Sequence, residues 1–138
     1  MVTLDKNIII EAIGKAESGT SGEIRVHVHS RPVKDAFMEA QKLFKRLGMH
    51  RTKLRNGVLI FVSEKSHQFA NVGDEGIHAR VGASFWDAVR DRMGAQFAMG
   101  ELQLGILEGV RSAGEQLKVY FPAGKSDRNE LSDDVTTG

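Results

Sequence analysis

Two adjacent carboxylates stand between two glycines in Gly73-Asp74-Glu75-Gly76, where a short mixed segment that reads as a strand runs out. Glu23 opens an alternating run, EIRVHVH, behind Thr20-Ser21-Gly22, and Asn56 follows Arg55 at the head of an apolar run, GVLIFVS. Together these stretches supply three carboxylates and an amide carbonyl. They are hard oxygen donors of the kind calcium and magnesium prefer, and the glycines beside them let backbone carbonyls turn inward as further ligands. A divalent cation would balance charges that otherwise repel. The plain alternative is a turn with solvated carboxylates, in which Asp74 or Glu75 interacts only with the dipole of a short helix starting near Ile77. The EF-hand pattern D-x-[DN]-x-[DN]-G is absent.

Whether the three stretches meet depends on the elements that carry them. Asp5 caps a first helix whose apolar positions Ile9, Ala12, Ile13 and Ala16 recur at helical spacing, and Ser18-Gly19 stops it. Glu23 to His29 alternates without a break, with Ile24, Val26 and Val28 on one face and Arg25, His27 and His29 on the other, as in a strand with one polar face. A second helix begins near Asp35, carries Phe37, Ala40, Leu43, Phe44 and Leu47 on one stripe, and ends before Gly48. Gly57 to Ser63 is apolar on both faces, as in a central strand covered by helices, and His67 to Gly73 reads as the return of a hairpin.

Further on, Ser84-x-x-Asp87 reads as a helix cap ahead of Trp86, Val89, Met93 and Phe97, and Gly100 closes that helix. A last helix carries Leu107, Val110, Leu117 and Phe121 and stops before Pro122; its glycines at 105, 109 and 114 predict a close backbone approach. Apolar residues then nearly vanish, so the organisation is one domain over 1–122 and a poorly ordered tail over 123–138. The element order predicts a mixed sheet with helices packed on it. A strand-helix-strand unit is parallel and a hairpin return is antiparallel. The starts of the first two strands and the end of the third therefore share one edge, and Glu23, Asn56, Asp74 and Glu75 gather there.

Composition leaves this reading room and closes others. The 138 residues suit one domain; 19 basic against 18 acidic side chains name no partner, and the absence of cysteine excludes disulfides, thiol catalysis and thiolate metal sites. The N-terminus lacks the features of a signal peptide and no apolar run is long enough to span a membrane, so a soluble, cytoplasmic chain is expected.

The opposite edge is the principal rival site, with Ser30, Arg31, Asp35, Ser63, Glu64 and His67 at the carboxyl ends of the parallel strands. His27 and His29 read as surface or helix-covered positions more readily than as ligands. The basic run Lys42, Lys45, Arg46, His50, Arg51, Lys53 and Arg55 contains no acid, but it lacks interleaved aromatics and any nucleic-acid motif. A solvated face or a protein contact suits it better than nucleic acid.

The set TSGEIRVHV, RNGVLIFV, GDEGIHARVG with FWDAV, and a glycine-punctuated last helix ending in YFP resembles the TPM domain family over about residues 7 to 122. That family includes small soluble bacterial proteins and a thylakoid lumenal protein involved in photosystem II repair. The resemblance implies an α/β fold, a three-layer α/β/α sandwich with a small mixed β-sheet, divalent-cation binding in some members and acid phosphatase activity attributed to others. Glu23 matches the acidic position opening the first strand, Asn56-Gly57 the pair opening the second, and Gly76-Ile77 the pair after the third. His78 departs from the glutamate many relatives carry there, which weakens any site that counts on a carboxylate at that position. The leading expectation is a domain that binds calcium or magnesium through Glu23, Asn56, Asp74 and Glu75. A metal-dependent acid phosphatase at the same edge and a metal-free protein-interaction adaptor are the alternatives.

Overall fold

A computed structural model describes residues 4–123 and 135–137 of the chain. Helix α1 (Lys6–Glu17) starts where the Asp5 carboxylate accepts the backbone N–H groups of Asn7 and Ile8. Strand β1 (Glu23–His29) follows, then α2 (Ala36–Arg46), capped by Asp35 through the N–H of Met38. Gly48 takes up φ 71 just past α2, and a 3-10 turn (Met49–Arg51) leads to β2 (Gly57–Ser63). After β3 (Gln68–Gly73) come α3 (Glu75–His78), α4 (Ala83–Ala98), α5 (Leu102–Tyr120) and β4 (Val135–Thr137).

The sheet order is β3-β2-β1-β4, with β1 parallel to both β2 and β4 and β3 antiparallel to β2. The expected α/β architecture and the expected strand directions both hold. On one face, Ile24, Val26, Val58 and Ile60 pack against Ile9 and Ile13 of α1, Val89 and Met93 of α4, and Val110 and Leu117 of α5. On the other, Leu59, Phe61, Ala70 and Val72 pack under Ala36, Ala40 and Phe44 of α2 and under Met49. Burying each large apolar side chain contributes roughly 1.5–3 kcal/mol, so the two clusters together outweigh any single loop contact. Among the described residues no helix is long and apolar enough to cross a membrane.

Two readings of the sequence change. Helix α4 is capped by Gly82 with no side-chain bond, so Ser84-x-x-Asp87 is not its cap; Asp87 instead pairs with Arg90 at 3.2 Å. Phe85 is 1% exposed in the core, and its burial outweighs the local capping preference. Residues 135–137, inside the segment expected as a tail, form β4 beside Val26, His27 and Val28, with Val135 in the core. Residues 124–134 and 138 of that segment lie outside the described residues.

Helix α2 lies over β2 and β3, leaving the polar face of β1 to cover itself. His27 is nonetheless 5% exposed, between Phe61, His29 and Thr136. Burial, reinforced by the charges of His29, Arg25 and Arg46, lowers its pKa to about 4. A histidine neutral in the fold and protonated in the open chain makes stability fall as pH drops. Unfolding free energy should therefore decline from pH 6.5 toward 4 by up to about 1.4 kcal/mol per pH unit, and urea titrations of wild type and His27→Gln should differ in slope only in that window.

The glycines of α5 do receive neighbours. A Cβ on Gly114 would lie 2.7 Å from the Cβ of Ala16 and 3.1 Å from its Cα, a backbone that cannot yield without moving α1. A Cβ on Gly14 would meet nothing within 4 Å. Gly114→Ala should lose about 1–3 kcal/mol by overpacking, whereas Gly14→Ala should gain up to about 1 kcal/mol. Denaturant midpoints of the two variants check both signs.

Candidate functional site

Sheet register brings the three loops together. Glu23 lies opposite Gly57 in the β1–β2 pair and Val58 opposite Gly73 in the β2–β3 pair, so the entries to β1 and β2 and the exit of β3 form one rim. Backbone bonds close it: the Asp74 N–H donates to the Gly57 carbonyl at 3.0 Å and the Gly76 N–H to the Arg55 carbonyl at 2.8 Å. Glycine is required at 76, because a Cβ there would stand 2.2 Å from the Leu54 carbonyl oxygen and 2.5 Å from that of Arg55. Arg55 itself adopts φ 52, a left-handed conformation that costs a side-chain-bearing residue of order 1 kcal/mol and persists only where its surroundings hold it.

The β1 side of the rim is tied to the end of α5. The Thr20 hydroxyl donates to the Phe121 carbonyl, the Ser21 N–H donates to the same carbonyl at 3.0 Å, and the Gly22 N–H donates to Thr20 Oγ1 at 3.0 Å. Asn56 then spans two loops, its Nδ2 donating to Ser21 Oγ at 3.1 Å. Glu23, Asn56 and Asp74 are 2%, 1% and 5% exposed, whereas the Glu75 side chain is 81% exposed. Three of the four residues expected at the site are thus buried, and the side chain of the fourth, Glu75, is in solvent.

Arg55 holds Asp74 with a two-pronged grip. Its Nε donates to Oδ2 at 2.7 Å and its Nη2 to Oδ1 at 2.8 Å, while Glu75 Oε2 lies 3.7 Å from Nη1. The hydrogen bond to Asp74, followed by the charges of Asp74 and Glu75, raises the guanidinium pKa above its ordinary value despite partial desolvation. Asp74 Oδ1 also accepts the N–H of Glu75 at 2.8 Å and caps α3, which starts at Glu75 rather than near Ile77. Helix capping and the acidic rim therefore share one carboxylate. By sequence Arg55 belongs both to the basic run and to the stretch Arg55-Asn56-Gly57, with no pairing to Asp74 indicated. Its signal was its position directly before Asn56 in one of the three converging stretches.

Carboxylate and amide oxygens are the donor type that calcium and magnesium take, so the residues fit such an ion in kind. In arrangement, Arg55 stands where the cation would neutralise Asp74. Among the described residues no group of three or more histidine, aspartate or glutamate side chains converges as a metal cage. His78 is exposed with its ring 6.2 Å from that of Trp86. Trp86, the sole tryptophan, packs against Gly73, where an added Cβ would lie 2.3 Å from its Cζ2.

At the opposite edge some of the polar groups close loops, while Glu64 and His67 stay exposed. Asp35 caps α2, Gln68 Oε1 accepts the Ala36 N–H at 3.0 Å, and the Ser63 hydroxyl donates to the Arg31 carbonyl at 3.2 Å. Nearby, a largely apolar cavity of about 460 Å³ opens between the β2–β3 turn and α4, lined by Glu64, His67, Phe69 and Phe97 among others.

Comparison with known proteins agrees with this architecture. The sequence model of the TPM domain matches residues 3–116. Among solved structures, the chain is similar to the BA42 protein of the psychrophilic bacterium Bizionia argentinensis at 39% identity and a TM-score of 0.92, covering 99% of this chain and 97% of that one. The N-terminal domain of a protein from P. gingivalis shares the fold at 19% identity and a TM-score of 0.68, covering 83% of this chain and 74% of that one. The N-terminal domain of the cg2496 protein from Corynebacterium glutamicum does so at 14% identity and a TM-score of 0.68, covering 96% and 83%. No curated protein matches the chain. With a matching domain over residues 3–116 and the same fold in a 39% identical relative, the chain belongs to the TPM domain family.

Proposed function

We propose that this TPM domain is a binding module for a divalent cation, calcium or magnesium, taken up at the rim of Glu23, Asn56, Asp74 and Glu75 in exchange for the Arg55 side chain. The observation that supports this most is the near-complete burial of Glu23, Asn56 and Asp74 at one edge of the sheet. Buried hard-oxygen donors are costly to keep unless something positive attends them. Arg55 attends Asp74 from a side chain that is itself 40% exposed, so it can leave toward water, while α3 and the Gly76 N–H keep the loop in shape. A bound ion would supply charge neutralisation and would link the three loops. The resemblance to cation-binding TPM domains points the same way.

Competition makes the reading testable. In a calcium titration followed by amide NMR and Trp86 fluorescence, shifts should concentrate at residues 21–24, 55–57 and 73–78. Arg55→Gln, which removes the competing cation, should bind several-fold more tightly, and Asp74→Asn should lose binding. A flat response to millimolar calcium and magnesium in both wild type and Arg55→Gln would sink the proposal. Hydrolysis of a generic phosphate ester that needs the ion and is lost in Asp74→Asn would instead assign the rim to a metal-dependent phosphatase.

A further inference from the structure

At the other end of β1 from the acidic rim, two imidazoles face each other. His27 Nε2 and His29 Nδ1 are 3.1 Å apart. Two nitrogens held by one transition ion at 2.0–2.1 Å are that far apart when the angle at the metal is roughly 98°, between the octahedral and tetrahedral values. The separation that serves a hydrogen bond in the free protein is equally that of two neighbouring ligands.

The far side of His27 is built as well. Its Nδ1 lies 2.8 Å from Thr136 Oγ1, and that hydroxyl lies 3.4 Å from the Val26 carbonyl oxygen. One arrangement of protons satisfies all three groups: the hydroxyl donates to the carbonyl and accepts from the His27 Nδ1–H, which leaves the Nε2 lone pair directed at His29. A ligating histidine usually has its other ring nitrogen fixed by an oxygen in this way. Phe61 forms one wall, its ring centroid 5.3 Å from that of His27 and 5.1 Å from that of His29.

We propose that His27 and His29 form a two-imidazole site for a borderline divalent transition ion such as zinc, nickel or copper, with water completing the coordination. The ion sits about 1.3 Å to one side of the N···N line, each ring turning by roughly 40° to aim a lone pair at it, and the bridging hydrogen leaves that gap. His29 then carries its proton on Nε2 instead of Nδ1, so both ligands stay neutral and no net proton is released. Arg25 and Arg46 act on His27 and Arg31 on His29 with repulsive charge toward a cation, whereas Glu39 beside His29 attracts one. With two protein nitrogens and that charge balance, the site is one of modest affinity. It differs from the acidic rim in kind, since imidazole suits zinc, nickel and copper while carboxylate and carbonyl oxygens suit calcium and magnesium. Six residues of extended strand, about 20 Å, separate His29 from Glu23.

The test titrates the full, untagged chain with zinc sulfate, reading affinity by competition with a chromophoric chelator and location by amide NMR. Saturable one-to-one uptake is expected, with shifts at residues 26–29, Phe61 and Thr136. His29→Gln should abolish it while the amide spectrum remains that of the folded chain. Thr136→Val, which keeps the strand but removes the acceptor for His27, should weaken it about tenfold or more. Asp74→Asn should leave it unchanged. Absence of saturable uptake by wild type, undiminished affinity in His29→Gln, or zinc shifts that follow Asp74 instead would each overturn the assignment.

Discussion

β2 runs through the middle of the sheet with both faces covered, Val58, Ile60 and Val62 toward one helical layer and Leu59 and Phe61 toward the other. A slip of one residue against β1 would exchange the two sets and strand every side chain on the wrong face. Register is therefore fixed by packing along the whole strand, and the loops inherit it. Arg55 and Asn56 enter β2 at the height where Glu23 enters β1 and Gly73 leaves β3. The rim exists because the core permits no other alignment, and its chemistry is a by-product of hydrophobic burial at some distance from it.

Once formed, the rim faces an electrostatic problem that the chain resolves internally. A carboxylate such as Asp74, taken almost wholly out of water, needs compensation, and a planar guanidinium gripping both oxygens provides it with directional bonds. The left-handed turn at Arg55 aims its carbonyl at the Gly76 N–H, and its side chain grips the residue two positions before that glycine. Backbone strain, glycine and ion pair are thus one device spread over two loops.

How much of this could be read from residues alone followed from where the information sits. Strands β1 and β2 were legible to the residue, because alternation in EIRVHVH and continuous apolarity in GVLIFVS are local consequences of which faces are covered. The shared edge of the loops that carry Glu23, Asn56 and Asp74 was legible too, through the handedness and parallelism of a strand-helix-strand unit. Arg55 was not, since a cation after a basic helix end already has an ordinary explanation there and its pairing is set by tertiary geometry. Nor was β4: three residues, Val135–Thr137, in a polar segment carry no period, and only the open edge of β1 gives them a partner. The start of α4 escaped for a similar reason, with the core position of Phe85 deciding where the helix begins.

The position of β4 beside β1 has an outcome for the molecule's dealings with its own copies. The described residues of β4 pair with Val26, His27 and Val28 of β1, which carry the edge's most apolar stretch. A chain cut after Pro122 would bare that row of unpaired amides and carbonyls beside two valines, the template onto which foreign strands add themselves. The C-terminal strand in this sense shields the most apolar part of β1, and a truncated protein would present that row as a sheet edge in its place.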